Sequence, residues 1–165
     1  MFKTSILVFI SIIFTSCYSF KGISIPPEAN TFFIEQFSVY PENIPPNEGQ
    51  NFAELLKDKF RRESRLAYKD TDPDLEFSGA ITEFRVSSEA PKAGAETSFN
   101  RLTIAVTVDY LNNKNEDNAW DKPVRFSQFY DYPSDQNLID VQDEYIQLIF
   151  DQLVEDIFNK AFTNW

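Results

Sequence analysis

Along the chain, the spacing of hydrophobic positions changes period several times. Thr31–Tyr40 (TFFIEQFSVY) is dense in aromatic and β-branched residues and predicts a first strand, ended by Pro41, Pro45 and Pro46. Phe52, Leu55, Leu56 and Phe60 then recur at the spacing of one helix face, which predicts a short amphipathic helix with Asn51 as N-cap and an end before Leu66. Leu75–Ser88 alternates with Leu75, Phe77, Gly79 and Ile81 on one face, then places Phe84 and Val86 on the other. That change of phase predicts a bulge or strong twist near Thr82–Glu83. Ala90–Asn100 is a polar loop, and Arg101–Leu111 alternates cleanly, with Leu102, Ile104, Val106, Val108 and Tyr110 opposite Thr103, Ala105, Thr107 and Asp109. The turn-forming stretch Asn112–Lys122 connects it to a fourth strand, Val124–Tyr132. From Asp140 the period becomes helical, with Ile146, Ile149, Phe150, Leu153, Ile157 and Ala161 in one stripe that Val154, Phe158 and Phe162 widen. Asp143 and Glu144 in its first turn and Lys160 in its last suit the helix dipole.

The expected fold class is therefore α+β, a four-stranded, mainly antiparallel sheet with two helices packed on one face, in the order β-α-β-β-β-α. Whether Phe126, Phe129, Tyr130 and Tyr132 point into the core or out of it depends on strand register.

The first residues carry a different pattern. Lys3 precedes an apolar run from Ile6 to Phe14, shorter than the ~20 residues a membrane span needs, so residues 1–16 read as a signal peptide. The run ends in Phe14-Thr15-Ser16-Cys17, which resembles the bacterial lipobox, with Cys17 the lipidation site. The alternative is an ordinary signal peptide followed by an incidental cysteine. Cys17 is the only cysteine, so no disulfide can form within the chain, and acylation gives an otherwise odd thiol a role. Residues 17–30, with Gly22, Pro26 and Pro27, read as a lipidated tether, and 31–165 as a single domain.

Charge narrows the partners. The formal net charge is −11, and removing the leader takes Lys3 from 15 cations against 26 acidic residues, leaving −12. Phosphate backbones need clustered cations, so nucleic acid is excluded as a partner. The one basic run, Lys57, Lys59, Arg61, Arg62 and Arg65, is interleaved with Asp58 and Glu63 and reads as a solvated helix face.

Catalytic chemistry is sparse. There is no histidine, so triads and His-based metal sites are excluded, and four scattered glycines build no phosphate-cradling loop. Asp70-Thr71-Asp72-Pro73-Asp74 lacks the glycine and distal glutamate of a calcium loop and reads as an acidic turn before a strand. The expectation is a non-enzymatic protein without catalytic residues, metal or cofactor.

Several strings taken in order resemble a known family: FTSC followed by Tyr18-Ser19-Phe20, Ile25-Pro26-Pro27, Leu56-Lys57-Asp58-Lys59-Phe60, Asn100-Arg101-Leu102-Thr103-Ile104, and the terminal run from Leu153 to Phe162. Together they resemble lipopolysaccharide-assembly lipoproteins of the LptE family, Bacteroidetes type, over nearly the whole mature chain. The resemblance implies a two-helix, four-stranded α/β sandwich that sits as a plug in the lumen of the large outer-membrane barrel LptD, assists its assembly and helps pass lipopolysaccharide to the outer leaflet. It also implies outer-membrane placement on the periplasmic side, since Tyr18-Ser19-Phe20-Lys21 lacks both the Asp that resembles an inner-membrane retention signal and the acidic run that resembles a surface-export signal. Lipopolysaccharide is anionic, so contact with a domain this acidic needs local cations, for which Arg101, Lys92 and Arg85 are the candidates. Alternatively Arg101 pairs with a neighbouring carboxylate. The competing function is a free-standing lipoprotein that binds a small apolar ligand between sheet and helices.

Overall fold

The computed structural model describes residues 24–89 and 98–163. Cys17, Lys92 and most of the Ala90–Asn100 loop lie outside them.

The elements run β1 (Thr31–Ile34), β2 (Ser38–Val39), α1 (Glu48–Glu63), β3 (Ala67–Tyr68), β4 (Leu75–Glu89), β5 (Phe99–Asn112), β6 (Val124–Pro133) and α2 (Gln142–Phe162). Short 3-10 turns, Glu116–Asn118 and Leu138–Asp140, precede β6 and α2. The six strands form one sheet ordered β3-β1-β4-β5-β6, with β2 also pairing β4 further along. Both helices pack on one face of it, and the buried side chains of helices and sheet form one core.

The sheet is mixed, which corrects the expected four-stranded antiparallel arrangement. β4, β5 and β6 form the antiparallel meander. β1 runs parallel to both β3 and β4, and β2 parallel to β4. The physical reason is the connection. Helix α1 carries the chain from one end of the sheet back to the other, as parallel strands require, so the segments on either side of it point the same way. The segment expected as one strand is two, because Phe37 breaks the alternation of Phe32 and Ile34, turning inward to meet Phe52 of α1 at 4.9 Å between ring centroids. Asn51 is not the N-cap. The helix begins at Glu48, and Asn47 occupies the cap position in a left-handed conformation, φ 72, without a side-chain cap bond.

The phase change in β4 is a bulge. Pairing with β5 slips between Ile81 and Glu83, leaving Thr82 as the extra residue, so Ile81 and Phe84 both reach the core. Two positions upstream, a Cβ on Gly79 would lie 2.3 Å from the Thr107 carbonyl oxygen and 2.8 Å from the Phe37 ring, so no side chain fits there.

Phenylalanine fills the layer between sheet and helices. Phe60 sits at its centre with ring centroids 5.4 Å from Phe32, 4.8 Å from Phe77, 5.5 Å from Phe158 and 5.2 Å from Phe162, mostly edge-on. The basic run of α1 is less solvated than its charge pattern implies. Lys59 is 8% exposed; its Nζ bonds Glu63 at 2.7 Å and also Glu155 of α2, close over the Phe158 ring. Burial alone would lower the lysine pKa, but the two carboxylates outweigh it and raise it. Lys59 thus ties the helices together rather than facing water.

The segment entering β1 is seated on the domain. Ser24 N–H donates to the Phe162 carbonyl at the end of α2, and Arg65 donates to the carbonyls of Pro26 and Ala29. Asp74 accepts from the backbone N–H of Asn30 and Thr31.

Candidate functional site: the helix-free face of the sheet

Register settles which side chains face the core. Leu102, Ile104, Val106 and Val108 pair with Tyr130, Gln128, Phe126 and Val124, so these face the helices, as does Tyr132 opposite Asn100. The alternate positions, Arg125, Ser127, Phe129 and Asp131, lie on the other face, which no helix among the described residues covers. Phe129 is therefore outward, 46% exposed, while Tyr130 and Tyr132 stack against Tyr145 of α2.

Two candidate cations share this open face. Arg85 pairs with Thr103, and Arg101 pairs with Ser87 on one side and Asp131 on the other, which puts both on the surface opposite the helices. Lys92 lies outside the described residues. A third cation, Arg125, sits on the same face opposite Thr107 and was missed in the sequence because its facing hung on the register of β6. None stands alone. The Arg101 guanidinium forks onto Asp131, Nε to Oδ1 at 2.7 Å and Nη2 to Oδ2 at 2.9 Å, and lies 3.8 Å over the Phe129 ring. Arg85 and Arg125 both bond Glu83. The pairing expected as the alternative for Arg101 is thus present. Such a fork also fixes the cation flat on an exposed ring, a surface that offers charge and apolar area together.

The middle of the face is lined by small side chains. Thr103 and Ala105 of β5 are buried although they face outward, flanked by strands on both sides. Towards the β2 end lies a shallow depression of about 370 Å³ lined by Tyr40, Ser78, Ala80, Thr82, Thr107 and Asp109 among others. Tyr40 in its lining is 69% exposed, and Leu111, further along β5, is 43% exposed.

Elsewhere, a groove of about 610 Å³ opens on the outer side of the helices, between Pro45–Glu48 and Asp143–Gln147. Its carboxylates include Glu48, Glu54, Asp58 and Asp143. Burial, with the charge of Asp143 nearby, raises the pKa of Glu48. Among the described residues no group of three or more His, Cys, Asp or Glu is placed to hold a metal ion. The acidic turn is spent structurally, since Asp74 serves the backbone of Asn30 and Thr31 and pairs with Lys114 at 3.2 Å. Among the described residues no helix is long and apolar enough to cross a membrane.

A family model described as lipopolysaccharide-assembly, LptE, matches residues 29–161. The chain belongs to the LptE family. The match takes in every strand and helix named above and ends one residue short of the end of α2. Among curated proteins none matches the sequence. Solved structures share the LptE-family fold at low identity. A minor lipoprotein from Acinetobacter baumannii is similar at 10% identity with a TM-score of 0.52, over 80% of this chain and 91% of that one. A Xanthomonas campestris protein reaches 0.54 at 10% identity, over 85% and 90%. An uncharacterized lipoprotein B from Nitrosomonas europaea reaches 0.50 at 11%, over 84% of each chain. Membership makes this a lipoprotein-type component of lipopolysaccharide assembly in the envelope, of a family that is non-enzymatic at that coarse level.

Proposed function

We propose that this LptE-family chain is an outer-membrane lipoprotein, acylated at Cys17 and facing the periplasm, that plugs and helps assemble an LptD-type β-barrel for delivery of lipopolysaccharide to the outer leaflet. One observation supports this over the small-ligand carrier: the layer between sheet and helices is filled. Phe32, Phe52, Phe60, Phe77, Phe150, Phe158 and Phe162 are all at most 2% exposed there, which leaves the ligand chamber of a carrier no room. Partners must then be met on the outside, and the helix-free face supplies Phe129, Leu111 and the Arg85, Arg101 and Arg125 positions.

Arg101, Arg85 and Lys92 are the proposed contacts to lipopolysaccharide phosphates or carboxylates. The deciding experiment is detergent solubilisation and affinity capture of the tagged protein, combined with its depletion. The expected result is co-purification of a large β-barrel and lipopolysaccharide stranded inside the cell. Recovery of the protein alone, with normal export after depletion, would refute the reading. Unmodified Cys17 in membrane-extracted protein, read by mass spectrometry, would remove the anchor, and retained ligand binding in Arg101→Glu would remove that contact.

A further inference from the structure

The groove on the outer side of the helices combines an apolar floor with carboxylates. It follows α1 from Glu48 to Asp58, about 15 Å at the helical rise of ~1.5 Å per residue, and the first turns of α2 form its other wall. Its floor belongs to the core: Ile146 is 3% exposed, and Leu55 is half-buried against the same cluster.

The four carboxylates in its lining are not equivalent. Glu54 is paired with Lys57 and Asp58 with Arg61, each one turn further along α1. Glu48 accepts only from the neutral Asn51 amide, at 3.3 Å, and Asp143 has no hydrogen bond or ion pair among the described residues. Burial first, and the charge of Asp143 after it, make ionisation of Glu48 harder. The groove thus holds two carboxylates that no cation balances, beside an apolar floor.

That pairing selects its occupant. A bare divalent ion needs more oxygen ligands than two side chains offer, and among the described residues no group of three or more His, Cys, Asp or Glu is placed to hold one. A side chain with an aliphatic stem and a cationic head satisfies both halves, with methylenes on Leu55 and Ile146 and the head between Glu48 and Asp143. The length suits a peptide, since about 15 Å accommodates roughly five residues of extended chain at ~3.3 Å each. Further along, Arg61 holds Asp58 at only 3.8 Å between exposed side chains, a weak pair that a second cation can share.

We propose that this groove docks an extended basic segment of a protein partner, with one lysine or arginine side chain seated between Glu48 and Asp143. The groove lies on the helix side of the molecule and the open face on the other side of the sheet, so both surfaces can be engaged at once. The inference does not rest on the barrel reading, and either can fail without the other.

The test uses the full chain extracted from membranes in a non-ionic detergent, and as probe a fluorescein-labelled peptide of about five residues that alternates lysine with alanine. Anisotropy should show saturable binding that weakens as salt rises. Glu48→Gln combined with Asp143→Asn should raise Kd about tenfold or more. Asp70→Asn combined with Asp72→Asn removes the same charge from an exposed turn and should leave Kd unchanged. Leu55→Ala should also weaken binding, because the stem of the bound side chain loses its floor. If the groove pair misfolds by circular dichroism, Asn51→Lys gives the same test, since it keeps both carboxylates and supplies the groove with a cation of the chain's own. No binding at ~100 µM protein would overturn the proposal. So would a Kd that both charge-removing pairs change equally, or displacement of the peptide by an equal concentration of spermidine with no effect of Leu55→Ala, which would mark a polyamine site instead.

Discussion

Asp74 shows what a single side chain does for the entry of the chain. Its carboxylate accepts from Asn30 and Thr31 backbone N–H groups, and Thr31 Oγ1 accepts from Asp74 N–H in return. The Asn30 bond above all, with Lys114 and Thr31 and against the cost of burial, lowers its pKa from 3.8 to about 2. The folded pKa lies below the unfolded one, so this stabilisation is present above pH 3.8 and is lost as pH falls through about 2. Asp74→Ala leaves two backbone donors without partners and should cost about 2–4 kcal/mol in urea melts at pH 7, with a smaller loss at pH 2. Arg101 behaves differently. Its fork to Asp131 is part-exposed, so Arg101→Ala should leave the urea-unfolding midpoint nearly unchanged. An export defect in that variant would then report on contact rather than folding. Which of these residues mattered was only partly legible. The acidic turn was readable as structural, and Arg85 and Arg101 as candidates, but that both lie on the open face depended on pairing that no local pattern encodes. Lys59 looked like one more solvated cation; its role depends on Glu155, 96 residues away.

At the scale of elements, the most legible feature was the bulge, because a one-residue slip moves every later side chain to the other face and the sequence records the slip directly. Deleting Thr82 should therefore leave Glu83–Glu89 opposite the same residues of β5 in a ladder without a bulge, and hydrogen exchange along Glu83–Glu89 should keep its protection, whereas inserting a second residue beside Thr82 should lose it. Helix α2 and strand β5 were legible for the same reason, long runs of one period. β3 was not, being two residues long, and neither was the parallel pairing, which depends on where α1 delivers the chain. The core around Phe60 makes a sharper test of the packing. Phe60→Ala removes the ring that contacts both helices and the sheet, and should cost about 3–5 kcal/mol, read as a lowered unfolding midpoint.

For the molecule as a whole, the entering segment belongs to the folded unit. Arg65 and Asp74 hold residues 26–31 from two sides, and Ala29 is fully buried. A chain beginning at Ser24 should melt like the full chain, whereas one beginning at Thr31 should melt several degrees lower by calorimetry, having lost those bonds and the packing of Ile25 and Ala29. The bond from Ser24 to Phe162 has a further consequence for orientation. It places Ser24 at the pole where β4 begins and β5 ends, near Leu75 and Asn112. The opposite ends of those strands, Glu89 and Phe99, lie roughly 45 Å away at the usual rise per residue. The end of the domain that carries Glu89 and Phe99 is therefore the part most distant from the point where the chain enters.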